Sequence, residues 1–498
     1  MLSNYKIRLK SFKDKLSKSP ISYRLARSAF WALVSGIASR ALTIVSSIIV
    51  ARLLGKEGFG ELGMVQSTIG MFGFFAGFGL GATATKYIAE FRVKDRQRAG
   101  RIATLTFLIA IITSGIMAVA CFCMSDWLAE KTMNRSDLAS LIGAGSLLLF
   151  TTIISGVLPA VLSGFESFRK MTIISIWQAI LSLLITIPLV WLFGTHGAIA
   201  SLTINAALGI LLYSISLKSE SAKFGISLQY DKSIWGECPV LWKFSLPSMV
   251  AGMVAVPVVW ITNIMLVNQP GGYGELGLFN AANQWRMLII VLPSLLTSGM
   301  LPILSESYGK EDKSDFKKAV ALNLKVTWVV ALPLTVLIIT LGKPLALLFG
   351  KQFNGIEQIL YLLMISCFLS VIGGPVGSAL AGAGKMWIGA LMNLGWSVAL
   401  IFATFFLVPS FGSIGLAISY CFAYFLHIVW SMVYLEKRIA TSSLVINKWL
   451  ILFSLILLVV SYQAIFLGSI FSLYSFIVIL LSLIPLTRLV SSLYLKMK

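Results

Sequence analysis

Runs of about 20 consecutive apolar residues, separated by short polar stretches, recur along the chain from Ser28 almost to its C-terminus. That is the helix length needed to cross roughly 30 Å of hydrocarbon at about 1.5 Å per residue. The pattern predicts about fourteen spans, among them 28–50, 61–82, 171–193, 198–217, 243–267 and 276–304, with a last pair at 449–467 and 470–490. Lipid offers the backbone no hydrogen bonds, so spans of this length are helices, and the expected fold is an all-α polytopic membrane protein. Composition agrees: of 498 residues, 58% are hydrophobic and 12% charged, far more apolar surface than a water-soluble domain hides.

A net charge of +21 raises nucleic acid as a partner, and the distribution of the basic residues decides against it. They crowd alternate loops: eight precede the first span, from Lys6 to Arg27, and Lys86, Arg92, Lys94, Arg96, Arg98 and Arg101 follow the second. The intervening loops hold only Arg52, Lys56, Lys131, Arg135, Lys343 and Lys351. By the positive-inside rule both termini are expected in the cytoplasm, which requires an even number of spans. The basic residues thus report topology and contact with anionic membrane lipids, not nucleic acid.

The basic stretch 1–27 leads into span 1 without the short apolar core and cleavage site of a signal peptide, so span 1 is expected to act as the insertion signal. Tyr5, Leu9, Phe12 and Leu16 fall at helical spacing there, which fits either an interfacial amphipathic helix or an unstructured basic tail. Cys121, Cys123, Cys238, Cys367 and Cys421 show no metal-ligand spacing, and His196 and His427 are isolated; no cofactor or metal is implied.

Three short matches divide the chain. Gly58-Phe59-Gly60-Glu61-Leu62-Gly63 recurs as Gly272-Tyr273-Gly274-Glu275-Leu276-Gly277. Gly194-Thr195-His196-Gly197-Ala198-Ile199-Ala200-Ser201 recurs as Gly412-Ser413-Ile414-Gly415-Leu416-Ala417-Ile418-Ser419, and Leu162-Ser163-Gly164 as Leu380-Ala381-Gly382. Collinear matches at nearly one offset indicate an internal duplication. The expected plan is a basic N-terminus (1–27), a six-helix lobe (28–217), a cytoplasmic linker (218–242), a second six-helix lobe (243–435) and two additional helices with a tail (436–498). Six spans per lobe give both lobes the same orientation, a parallel pseudo-repeat around a central cleft suited to alternating access.

The run from Val50 to Gly63, with Ala51-Arg52-Leu53-Leu54-Gly55 and Gly58-Phe59-Gly60, followed by Ile88-Ala89-Glu90, resembles the bacterial polysaccharide transporters of the Wzx oligosaccharide-flippase type. These are grouped in one superfamily with multidrug extruders and peptidoglycan-precursor flippases. The resemblance is specific over the first hundred residues and architectural beyond them. It implies translocation of an undecaprenyl-pyrophosphate-linked oligosaccharide across the bacterial plasma membrane for cell-surface polysaccharide synthesis, such as O-antigen, capsule or exopolysaccharide. It also implies a polysaccharide polymerase and other assembly proteins as partners.

The charges inside spans supply an independent test. Arg40 falls near the middle of span 1, where a lone arginine costs about 2.5–3.5 kcal/mol on insertion scales and so is expected to face a polar cavity. Gly36, Ser39, Thr43, Ser46 and Ser47 extend a small, polar stripe through it. On span 8, Arg286 accompanies Asn280, Asn283 and Gln284. Arginine binds phosphate through a planar fork and stays charged, so Arg40 and Arg286 are the expected pyrophosphate ligands. Arg52 either guides the pyrophosphate out or anchors a helix end. Gln66 and Asn263 are further polar cleft candidates, and Trp285 either stacks on a sugar or packs. Pro257 and Pro293 mark possible bends, as does Pro247.

Two rivals remain. A drug or cation extruder on the same scaffold needs a buried carboxylate, but the span interiors carry none; Glu61, at a span start, is the one candidate for cation coupling. A membrane polymerase or ligase needs catalytic acids or histidines clustered in a sizeable outer loop; the outer loops are short, and the longer ones, around 125–138 and 342–358, hold Asp126, Glu130, Asp137 and Glu357 but no His or Cys nucleophile. The chain is therefore expected to be a transporter, not an enzyme.

Overall fold

The structure, a computed structural model, describes residues 20–228, 230–246, 249, 254–309, 314–438, 448–467 and 473–496. The expected N-terminal amphipathic segment, with Tyr5 to Leu16, lies outside them, as does Pro247. Among the described residues there are helices and no strands.

The first half of the chain forms α1 (Pro20–Gly77), α2 (Leu80–Lys94), α3 (Arg96–Cys123), α4 (Ala139–Gly164) and α5 (Phe168–Phe224). The second half forms α6 (Ala255–Val267), α7 (Gly272–Asn283), α8 (Arg286–Tyr308), α9 (Ser314–Thr340), α10 (Ile356–Gly382) and α11 (Met386–Arg438); α12 (Lys448–Leu467), α13 (Leu473–Ser482) and α14 (Ile484–Lys496) follow. Among the described residues, seven segments are long and apolar enough to cross a membrane, and 255–267, 450–463 and 477–489 are shorter apolar helices.

Three of the long helices reverse direction at a glycine: α1 at Gly55, α5 at Gly194 and α11 at Gly412. In α5 the reversal is visible in its hydrogen bonds. Thr186 Oγ1 donates to Ser201 Oγ over 3.2 Å, although 15 residues of straight helix would separate them by roughly 22 Å. Lys170 Nζ reaches Ser219 Oγ at 3.0 Å, so the arms run side by side along their length. In α11, Ser431 lies 3.4 Å from Met392 Sδ, and the Trp396 and Tyr424 rings are 5.2 Å apart.

The repeated Gly-x-x-Gly explains both turns. Gly194 and Gly412 adopt nearly the same backbone conformation, φ 57°, ψ −132° and φ 54°, ψ −131°, in a region that L side chains avoid. The second glycine of each pair lets the returning arm approach the first. A Cβ on Gly197 would fall 1.9 Å from the Leu189 carbonyl oxygen, and one on Gly415 2.4 Å from that of Leu407. Because the obstacle is backbone, no rotamer change relieves it. We expect Gly197→Ala and Gly415→Ala each to destabilise the protein by about 2 kcal/mol or more, seen as a lower melting temperature by fluorescence-detected size exclusion in detergent. An unchanged melting profile would count against the tight-turn account.

Two expected spans are broken. Span 2 is interrupted where Phe78 and Gly79 take positive φ, between α1 and α2. Span 8, expected as one helix over 276–304, divides between Asn283 and Arg286 into α7 and α8, at a site with neither glycine nor proline. Pro257 stands in the first turn of α6, where its missing N–H costs no helical hydrogen bond. Between the halves of the chain the principal contacts run from α1 to α6, α7 and α8.

Candidate substrate cavity and its seam

The two copies of the Gly-rich motif meet each other. The start of the second arm of α1 crosses the start of α7 so closely that a Cβ on Gly60 would fall 1.8 Å from the Tyr273 carbonyl oxygen. A Cβ on Gly277 would fall 1.9 Å from that of Lys56. Glycine is required here to let two helix backbones touch. Around this crossing the chain's two halves are laced together. Arg52 donates from Nε to the Leu348 carbonyl at 2.6 Å and from Nη2 to that of Leu347 at 3.2 Å, and the Phe59 and Phe353 rings meet edge to face at 6.2 Å.

Arg135 joins the same seam. Its Nη2 lies 2.7 Å from Glu61 Oε1, its Nε donates to Asp137 at 2.7 Å, and its guanidinium sits 5.0 Å from the centre of the Tyr273 ring. Hydrogen bonding to Asp137, and then to Glu61, outweighs the cost of burial and raises the Arg135 pKa further above its ordinary value. The Tyr273 hydroxyl donates to the Met133 carbonyl at 3.0 Å. Glu275 faces elsewhere: it accepts the Ser413 N–H at 3.0 Å and the Ser413 hydroxyl, capping the second arm of α11 just past the Gly412 turn. An anion at a helix start is favoured by the partial positive charge of the unpaired N–H groups.

Directly beside the seam lies a cavity of about 680 Å³, within the usual range for small-molecule sites. Phe59, Leu62 and Gly63 form the seam end of its wall. From there α1 contributes Ser39, Thr43, Ser46 and Ser47 on one arm and Gln66 and Ser67 on the other. The arms of α5 contribute Gln178, Ser182, Thr186, Ser201 and Asn205; α6 adds Asn263, and the end of α7 adds Asn280 and Asn283, with Gln284 following. No charged side chain lines it among the described residues.

The structure therefore brings together Gln66, Asn263, Asn280, Asn283 and Gln284. Asn263 Nδ2 donates to Ser67 Oγ at 3.0 Å, while its Oδ1, Asn205 Oδ1 and Asn280 Nδ2 are buried without a protein hydrogen-bond partner. Buried polar groups are normally paired, and three residues of this wall each keep one polar atom that is not.

The arginines stand around this cavity rather than in its wall. Arg286 lies behind Asn283: its Nη1 donates to Asn283 Oδ1 at 3.1 Å, its guanidinium lies 5.6 Å from the centre of the Tyr420 ring, and its Nε has no partner. Arg40 is exposed and shares a helical face with Gly36, Thr43 and Ser47, one turn beyond Thr43 on the side away from the seam. Arg52 and Glu61 belong to the seam. Trp285 is buried and packs edge-on against Phe349 at 6.5 Å. Sequence reasoning passed over Gln178, Ser182, Thr186, Ser201 and Asn205, although 178, 182 and 186 fall at helical spacing. Among the described residues no three His, Cys, Asp or Glu side chains are grouped to hold a metal.

The model of the polysaccharide biosynthesis protein family matches residues 25–308, more than half of the chain and the whole of the cavity and seam motif. The chain belongs to this family. Residues 247–406 also match the MatE family. Among curated relatives, the chain is 23% identical over 422 residues to the EPS I polysaccharide export inner membrane protein EpsE of Ralstonia nicotianae, covering 82% of this chain and 94% of that one. It is 21% identical over 408 residues to the lipid III flippase of Escherichia coli, covering 81% and 96%. Among solved structures, the lipid II flippase MurJ in its inward closed conformation superimposes with a TM-score of 0.72 at 16% identity, over 94% of this chain and 99% of that one. This family member thus has the multi-pass helical fold of a membrane transporter, and relatives that it matches over nearly their full length are named as exporters and flippases.

Proposed function

We propose that this protein translocates polyprenyl-pyrophosphate-linked oligosaccharide repeat units across the bacterial plasma membrane by alternating access, for assembly of a cell-surface polysaccharide. The observation that carries the reading is the cavity: hydroxyl and amide groups concentrated within membrane-spanning helices, with three unpartnered polar atoms and one end closed by a seam between the two halves of the chain. Sugar hydroxyls both donate and accept hydrogen bonds and match such a wall. The names of the relatives, a polysaccharide exporter and a lipid III flippase, support the same class of substrate.

With the basic loops at the cytoplasmic face, both termini are cytoplasmic and the seam lies at the outer face, so the cavity receives its substrate from inside. Parting of the seam then releases the glycan outward while the polyprenyl chain remains in lipid. Arg40, at the end of the cavity away from the seam, is placed to meet the pyrophosphate, and Arg286 acts through Asn283. The carboxylates of Glu61 and Glu275 are engaged with Arg135 and Ser413, which gives a cation-extruding reading little support.

Depleting the protein in its native cell is expected to raise the lipid-linked repeat unit severalfold in the inner leaflet. Mass spectrometry of extracted lipids, combined with leaflet assignment by an impermeant sugar-oxidising reagent, reads this out. No accumulation, or accumulation in the outer leaflet, would remove the assignment.

A further inference from the structure

The cavity wall also restricts which glycans fit. We infer that the site selects an uncharged oligosaccharide and discriminates against repeat units carrying a carboxylate, such as a hexuronic acid. This rests on the translocation reading and specifies its substrate class.

The wall of the cavity is amide and hydroxyl: Asn205, Asn263 and Asn280 line it among serines and threonines, and each also keeps one amide atom buried without a protein partner. A sugar hydroxyl donates and accepts, so it satisfies either end of an amide, whichever way the amide is turned. A carboxylate only accepts. It leaves every amide oxygen it faces unpaired and sets its own charge against those oxygens.

Charge compensation is also missing from the wall. No lysine, arginine or histidine lines the cavity among the described residues, and a carboxylate moved from water to such a surface loses hydration without gaining an ion pair. The two nearby arginines do not supply one. The Arg286 guanidinium is held behind Asn283 and against Tyr420, with the Asn283 amide between it and the cavity. Arg40 stands at the rim of the polar wall, next to Ser39, at the end away from the seam, the end at which the pyrophosphate joins the first sugar. Cation and neutral wall are therefore arranged in the order of pyrophosphate and glycan.

The test uses the full-length protein in detergent and two soluble probes: a farnesyl-pyrophosphate-linked neutral trisaccharide, and the same molecule with one distal hexose replaced by the corresponding hexuronic acid. Farnesyl pyrophosphate without sugar is the reference. Isothermal titration is expected to show the neutral probe binding roughly tenfold more tightly than the acidic one. In Gln66→Lys, which places a cation in the wall, that ratio is expected to fall severalfold or reverse, whereas Arg40→Ala weakens both glycan probes alike. Equal or tighter binding of the acidic probe by the unsubstituted protein would overturn the inference while leaving translocation intact. If neither glycan probe binds better than farnesyl pyrophosphate, the cavity does not read sugar, and both the inference and the function proposed above fail.

Discussion

Gly60→Val combined with Gly277→Val is expected to abolish translocation while leaving the protein in the membrane. The added Cβ atoms alone would lie 1.8 Å from the Tyr273 carbonyl oxygen and 1.9 Å from that of Lys56, less than about 60% of an ordinary contact between unbonded heavy atoms. Both obstacles are main chain inside a helix, so the two helices must separate. Separation also strains the contacts packed around them, Arg52 on Leu347 and Leu348 and Phe59 on Phe353. A transporter that cannot close this seam cannot hold the state that receives substrate from the other side. A single cysteine at Ser46, in the cavity wall, reports this directly. With the native glycines it is expected to be shielded from an impermeant maleimide applied outside, and in the double variant to be labelled. Normal transport with normal shielding would show that the seam accommodates the added side chains without parting.

Gly63→Ala provides the internal comparison. Its Cβ would meet Asn280 Nδ2 at 1.9 Å, the free end of a side chain that can rotate. The two kinds of obstacle are equally close, and they differ in whether the obstacle can move.

The two matching helix reversals were legible because they are written in glycines. Gly194 with Gly197 and Gly412 with Gly415 fix the chain reversals in α5 and α11, and the matching phrase in each half carries the matching turn. The Gly58–Gly63 phrase was legible as a repeat but not in its consequence. Read along one chain it is a tight turn before a span, and nothing in the sequence states that its two copies touch. The close approach of Gly60 to the Tyr273 carbonyl is a property of the pair. The break between Asn283 and Arg286 was hidden for a different reason: no residue there disfavours helix, and Trp285, which stands at the break, packs against Phe349 from a distant part of the chain.

The candidate site was legible in part, and the omissions share a cause. Charges within apolar spans stand out because their burial is costly, and this directed the reading to Arg40 and Arg286. Neutral hydroxyls do not stand out. Ser and Thr are common in spans because their hydroxyls bond to the preceding helical turn, as Thr43 does to Ser39 at 2.8 Å, so their presence alone does not mark a cavity. The wall formed by Gln178, Thr186, Ser201 and Asn205 appears only when the two arms of α5 are folded together.

Arg286→Ala and Arg40→Ala are each expected to reduce translocation tenfold or more, and their conservative replacements are expected to separate the two roles. Arg286 donates from one nitrogen to Asn283 Oδ1 while its guanidinium packs near Tyr420; this fixes the amide so that its NH2 group is free to face the cavity. A lysine keeps the charge but lacks the planar fork that serves both contacts at once. Arg286→Lys should therefore resemble Arg286→Ala, and Asn283→Leu should reproduce most of the loss. Arg40 is exposed and meets a phosphate as a cation at the end of the cavity. Arg40→Lys should therefore retain most of the transport, with a steeper decline as salt rises, because exposed charges are screened over about 8 Å at physiological ionic strength. Initial rates in vesicles carrying a lipid-linked oligosaccharide, measured at low and high salt, resolve these outcomes. If lysine rescues position 286 as well as it rescues position 40, both arginines act by charge alone, and Asn283 owes its orientation to another contact.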